Sequence, residues 1–451
     1  MIFRKFMREL FGRKDKAPAF SADPFQRETS DAPAAPLPPG APHAPLWAPP
    51  PPVLLLRDEI IDARTRLSGY LFHLEGDEDG SDGRATAFHG AIEAAGIAAF
   101  AQRRMAVIPL RLEDWLQRNF RPFIGPHLVF LLTVPAGIPP SDLWAPCLQE
   151  MKSLGARIAL RVPDPADCRD LLPLADILLL DYRTDALEQF EHIATALRRT
   201  LPAVALAAAG ISTWTERRMV TSWGVEYCLG GFAATVDEED KTDAPGQNRP
   251  ALVEMLNLLR READPAELAA VARRDPGIAL RIVSMANSPV SGLDRQVTSI
   301  EDALMVLGRE MIYRWLSIAL FQGGRDRNRD ETLLELALGR ARFLELLALA
   351  GGQRRESGEL FLVGLFSMLD SLLSMPMPRI LEHMALPPAV TDVLLNSAGP
   401  HAHHLMLALA LEKGRADQAT KLAAAIGATP ETVAQCSRDA LAWAEEAMGS
   451  G

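Results

Sequence analysis

Residues Asp275 to Gly308 read DPGIALRIVSMANSPVSGLDRQVTSIEDALMVLG, and this stretch decides the fold of the C-terminal half. Pro276 stands where a first-turn proline belongs, since its missing N–H is not needed there. Ile278, Ile282, Met285 and Ala286 fall on one face at helical spacing. Asn287-Ser288-Pro289 then stops the helix, because proline pushes the residue before it out of helical conformation. Thr298 and Glu301 have the spacing of a capping box, and Ile300, Leu304 and Leu307 repeat helically. Gly308 is placed to close the second helix. The stretch predicts a helix, a break and a second helix.

The wording of the stretch goes beyond its spacing: DP, an apolar helix into ANS, then TSIEDAL and LG. It resembles the HDOD domain, an all-helical bacterial signalling module related to HD phosphohydrolases but without their metal-binding histidines. The signature positions are Asp275, Pro276, Asn287, Ser288, Ser299, Ile300, Leu307 and Gly308. The resemblance continues through Tyr313-Arg314-Trp315-Leu316, Ala341 to Glu345 and Phe361 to Asp370, and on to Pro387-Pro388 and Trp443. It implies a helical HDOD domain over residues 250–451. Asn287, Ser288 and Ser299 suit the satisfaction of backbone groups at helix ends as well as contact with a ligand. Met305, Met311, Met368, Met375 and Met377 are expected as core or interface filler.

An HD phosphohydrolase site needs adjacent His and Asp, and no histidine here is followed by aspartate. His401, His403 and His404 form a cluster. On a helix, however, His403 and His404 would point about 100° apart, and no nearby Cys or carboxylate completes a ligand set. A histidine cluster in a loop or at a helix start is expected, not a metal site.

Upstream, residues 53–236 alternate strands and helices. Val53–Leu56, Met105–Ile108, Leu128–Val134, Arg157–Val162, Ile177–Asp181 and Val204–Ala208 read as buried strands. Ala85–Gln102, Trp144–Leu154, Leu187–Thr200 and Thr213–Trp223 have helical spacing. Such alternation implies a mostly parallel sheet or barrel. A polar acidic segment, 237–249, separates the halves. At the other end, residues 1–52 are expected to be disordered: a basic stretch over 1–16, then a Pro- and Ala-rich spacer from Ala32 to Pro52. The first 16 residues interleave apolar and basic side chains. They read as a peripheral membrane-surface helix, a partner-binding helix or a frayed terminus.

The alternating half resembles the EAL domain, the barrel that hydrolyses cyclic di-GMP in bacteria. Arg57 to Asp62 and Leu67-Ser68-Gly69-Tyr70 are similar to the opening strand pair of that family. At the positions where the family carries its pocket residues, this chain departs from the pattern. Leu71 stands for the motif glutamate and Glu75 for the following arginine. Leu132 stands for a metal-binding asparagine, and Arg161 and Val162 for paired aspartates. Leu179 replaces a lysine beside a retained Asp181, Ala209 and Ser212 replace two glutamates, and Leu229 replaces a glutamine. Two-metal phosphodiester hydrolysis needs carboxylates converging on two cations, which leucine, valine and alanine cannot supply.

Taken together, the resemblance is to EAL–HDOD fusion signalling proteins. The fold class expected is α/β then all-α: a degenerate EAL-type barrel followed by the HDOD domain. The expected function is a non-catalytic adaptor acting through protein partners, without cofactor or metal. The alternatives are a sensor that binds cyclic di-GMP weakly and a phosphodiesterase with an unrecognised site. Composition agrees with a globular protein, at 48% apolar and 23% charged residues. The net charge of −11 argues against a broad nucleic-acid surface. Four scattered cysteines suit a reducing compartment, and no apolar run approaches the roughly 20 residues a bilayer span needs. A cytoplasmic location is the default expectation.

Overall fold

The computed structural model describes residues 54–74, 97, 104–117, 119–135, 142–162, 165–182, 187–237, 239, 249–287, 297, 299–321 and 326–449. Eight strands close into a barrel in sequence order. They are β1 (Leu55–Asp62), β2 (Leu67–Leu74), β3 (Met105–Leu110), β4 (Leu128–Thr133), β5 (Arg157–Arg161), β6 (Ile177–Asp181), β7 (Ala205–Ala209) and β8 (Tyr227–Leu229). The first strand runs antiparallel to both of its neighbours, β2 and β8. Every other pair is parallel. Helices α1 (Leu112–Gln117), α2 (Trp144–Ser153), α3 (Leu187–Thr200) and α4 (Trp214–Ser222) pack outside it.

Parallel strands buried on both faces read as continuous apolar runs, and LVFLLT in β4 and ILLLD in β6 do so. Alternate residues separate into two cores. Val129, Leu131, Ala159, Leu179 and Ala207 fill the lumen, while Phe130, Leu132, Leu160, Leu178 and Leu206 pack outward under the helices. Gly69 is required where β2 approaches β3, because a Cβ there would lie 1.9 Å from the Met105 carbonyl oxygen.

From Arg249 onward the described chain is helical. The helices are α5 (Arg249–Arg260), α6 (Pro265–Arg274), α7 (Pro276–Ala286), α8 (Ile300–Leu307), α9 (Arg309–Ala319), α10 (Arg327–Ala350), α11 (Ser357–Phe366), α12 (Leu369–Leu373), α13 (Met377–Leu381), α14 (Pro388–Asn396), α15 (Ala402–Glu412), α16 (Ala416–Ala425) and α17 (Pro430–Gly449). The 24-residue α10 is the spine, packed against α11 and α17. Its crossing with α11 depends on Gly364, whose Cβ would lie 2.5 Å from Ala341 Cα.

The two halves share a core. Leu54 and Leu56 are buried with Leu407 and Leu411 of α15, and Leu441 of α17 joins the outer layer of the barrel. Polar contacts fasten the same seam. The Leu67 N–H donates to Thr332 Oγ1 at 3.0 Å, and that hydroxyl donates to the Thr65 carbonyl at 2.7 Å. Arg57 donates to Ser437 Oγ at 3.0 Å. The helical half thus covers the outer face of the β1–β2 hairpin.

Several expectations need correction. The cap of α8 is Ser299, which accepts from the Asp302 N–H at 3.0 Å, rather than Thr298 paired with Glu301. Short β8 and α1 had no sequence expectation, because three and six residues carry too little periodicity. Met305 is exposed, unlike the buried Met368. Residues 1–52, the linker apart from Asp237, Glu239 and Arg249, and the expected Ala85–Gln102 helix apart from Ile97 lie outside the described residues.

Candidate functional site: the barrel mouth and the helical seam

Because β2 to β8 run parallel, their C-terminal ends form one rim, joined there by the N-terminal end of antiparallel β1. Side-chain alternation decides which residues face the lumen. Leu71, Leu179 and Leu229 do so and are buried in its core, with Ala209 packed against them. Arg161 ends β5 in register with Thr133 and Leu179. It is half-buried, and its Nε has no hydrogen-bond partner among the described residues. Asp181 ends β6 and is exposed, opposite Ala209. Glu75 lies outside the described residues.

Leu132 and Val162 are not lumen residues: both pack in the outer layer. A one-residue slip along a strand exchanges faces, so Leu131 occupies the lumen place assigned to Leu132. Ser212 is committed to local structure. Its N–H and hydroxyl donate to Glu216 Oε2 at 2.7 and 2.9 Å, beside the capping box in which Thr213 caps α4.

The sequence reading missed a close contact, His73 Nε2 to Asp58 Oδ2 at 2.8 Å, with each side chain about one-third exposed. Pairing of Asp58 with Leu71 puts both residues on the leucine's side of the hairpin. Among the described residues no group of three or more His, Cys, Asp or Glu is placed to hold a metal ion. The leucines and alanine of the rim offer no oxygen ligands, so these residues do not fit a two-cation centre. The Cys228 thiol is pushed up to about 11, chiefly by burial, which leaves it protonated and a poor nucleophile.

In the helical half the signature residues hold helix ends. Asp275 Oδ1 accepts from the Ile278 N–H at 3.2 Å, and Pro276 is the first residue of α7. Asn287 grips Val297 from both sides, Nδ2 donating to its carbonyl at 2.6 Å and Oδ1 accepting from its N–H at 2.7 Å. Ile300 and Leu307 are buried, and Gly308 closes α8 at φ +75°. Ser288 lies outside the described residues. Residues 250–383 match the HDOD domain family. The chain carries an HDOD domain.

Two curated relatives are similar over most of the chain. YuxH of Bacillus subtilis (strain 168), an uncharacterized protein, is 25% identical over 310 residues, 66% of this chain and 74% of YuxH. CdgJ of Vibrio cholerae, named a cyclic di-GMP phosphodiesterase, is 23% identical over 314 residues, 68% of this chain and 71% of CdgJ. Among solved structures, the PaMucR phosphodiesterase in complex with c-di-GMP is 15% identical with a TM-score of 0.33, covering 40% of this chain and 94% of that one. BlrP1 of Klebsiella pneumoniae, in a calcium and cy-diGMP complex, is 15% identical with a TM-score of 0.35, covering 42% of this chain and 56% of BlrP1. Scores this low carry no functional weight; the barrel is defined by its own strand pairing.

The histidine cluster sits at the start of α15, beyond the residues 250–383 that match the HDOD family. His401 is buried and 3.0 Å from Glu359 Oε2. His404 is pushed down to about 4, by burial first and then by His401 and His403, so it is neutral at physiological pH. The unusual carboxyls lie elsewhere, on the seam between the barrel and the helical half. Burial and then the Glu412 carboxylate push Glu59 up to about 8. Burial pushes Glu335 up to about 7 despite its 2.6 Å contact with Arg104. Nothing local in DEI or ELA marks either residue, since the burial comes from the other half of the chain.

Proposed function

We propose that this chain is a non-catalytic signalling adaptor, in which an EAL-like barrel serves as a scaffold fused to an HDOD domain and the output is a protein–protein contact. The observation that carries the reading is the lumen itself: Leu71, Leu179 and Leu229 fill it up to the rim, where cation-binding carboxylates would be needed. The shared core along β1 supports the same reading, because it ties the barrel to the HDOD domain.

The similarity to CdgJ, a protein named for cyclic di-GMP hydrolysis, defines the test. Full-length protein with cyclic di-GMP and Mg²⁺ or Mn²⁺ should give no turnover above buffer. Turnover that falls in an Asp181→Asn variant would overturn the adaptor. A second reading, a sensor that binds without cleaving, is favoured by one observation, the half-buried Arg161 guanidinium at the rim. Calorimetric binding of cyclic di-GMP that is lost in Arg161→Ala would establish the sensor in place of the adaptor.

A further inference from the structure

The HDOD domain contains a cleft of about 340 Å³ lined only by helical-half residues. It opens between the C-terminal end of α5 and the first turns of α9 and α11. Three exposed guanidinium groups line it, those of Arg260, Arg309 and Arg355. Arg309 donates once, to the Ala263 carbonyl at 2.6 Å. Arg260 and Arg355 make no hydrogen bond or ion pair with any described residue. The helices add to this charge. Neither α9 nor α11 has a side-chain cap at its N-terminus, and Glu310 and Gly358 of those first turns line the cleft. Uncapped N–H groups and the positive end of the helix dipole both favour an anion.

A second feature gives the cleft a shape preference. The Arg314 guanidinium lies 3.6 Å above the centroid of the Phe361 ring. Two hydrogen bonds to Glu345, at 2.7 and 3.0 Å, hold it in that position. Both residues line the cleft, and since Phe361 is fully buried beneath the guanidinium, the planar Arg314 group is the surface that can meet a ligand. Beside it, Tyr313 is buried, and its hydroxyl has no hydrogen-bond partner among the described residues. A buried polar atom of this kind calls for a partner. Glu359 is occupied by His401, whereas Glu310 is exposed and has no partner among the described residues. Its carboxylate stands 3.7 Å from where a side chain at Gly358 would begin.

We infer that this cleft binds a small phosphate-bearing molecule with a planar ring, of the size of a nucleoside monophosphate. The phosphate lies among Arg260, Arg309, Arg355 and the two helix starts. The ring stacks on the Arg314 guanidinium, which Phe361 supports from beneath, and its N–H donors point to Glu310. A volume of about 340 Å³ is at the small end of ligand pockets, too small to prefer a macromolecular segment. The inference does not depend on the barrel or on the adaptor reading.

Titration calorimetry of the full chain with GMP, AMP, inorganic phosphate and the corresponding nucleosides tests it. A nucleoside monophosphate should bind at least about tenfold more tightly than its nucleoside, as expected when charge-assisted hydrogen bonds are added. It should also bind more tightly than phosphate alone. The exposed double change Arg260→Ala, Arg355→Ala should weaken the nucleotide by about tenfold or more, with an unchanged circular dichroism spectrum. Glu310→Gln should weaken the nucleotide while sparing inorganic phosphate. Arg161→Ala at the barrel rim should change nothing. The inference is overturned by an absence of heat at millimolar ligand, by equal binding of nucleoside and nucleotide, by phosphate binding as well as the nucleotide, or by binding that the double change leaves intact. Binding abolished by Arg161→Ala would place the ligand on the barrel and overturn it as well.

Discussion

Glu59→Gln should make the protein more stable than the parent in alkali and leave it nearly unchanged in acid. Glu59 sits on the outer face of β1, 8% exposed, near the bidentate pair in which Arg340 binds Glu412 at 3.0 and 2.6 Å. That pair is already neutral, and the nearby buried Arg57 offsets an ionised Glu59 only in part. Burial and Glu412 raise its folded-state value to about 8, from the ordinary 4.5 of a glutamate. With a raised folded value, the native state holds the proton that the unfolded chain releases. Stability is therefore complete below about 4.5 and is lost as pH rises towards 8. One retained proton corresponds to a slope of about 1.4 kcal/mol per pH unit, so the parent should lose a few kcal/mol between about pH 5.5 and 8.5. Glutamine keeps the shape and the neutrality of the protonated acid and abolishes the titration. Urea unfolding of the full chain, followed by tryptophan fluorescence at the two pH values, measures the difference. Parallel pH profiles for parent and variant would refute the argument, because they would mean that Glu59 is ionised or solvated in the folded protein.

Glu335→Gln should flatten the same profile over a lower window, since Glu335 takes up its proton at about 7, while the amide oxygen can still accept from Arg104; an unchanged profile in urea unfolding would refute this. Gly364→Ala should cost about 1–3 kcal/mol or more by overpacking against the α10 backbone, and a denaturation midpoint within error of the parent would contradict the close crossing. Asn287→Ala removes both hydrogen bonds to Val297 and should cost about 1–3 kcal/mol. Its amide exchange should rise at Val297 before it rises in the core of α10.

The helices around Asp275–Gly308 were legible because caps, proline and a 3.6-residue repeat are local signals, and Pro276 and Gly308 act where the chain places them. The cap assigned to Thr298 moved to Ser299, since two adjacent hydroxyl residues compete for one position and only the entry angle of the chain selects between them. The strands of the barrel were legible from their apolar runs. Their facing was not: in LVFLLT every position looks equally apolar, so nothing in the text separates lumen-facing Leu131 from helix-facing Leu132.

Sequence by itself therefore determined an alternating half, a helical half, and apolar residues such as Leu71, Leu179 and Leu229 in the strands of the first. Tertiary structure alone decided that the halves share a core along β1, that Glu59 and Glu335 are buried on that seam, and that Arg260 of α5, Arg309 of α9 and Arg355 of the turn before α11 meet at one cleft. The physical reason is range. Helix ends and strand periods are set by neighbours a few residues away, whereas burial and charge convergence are set by segments hundreds of residues apart, such as Arg57 and Ser437.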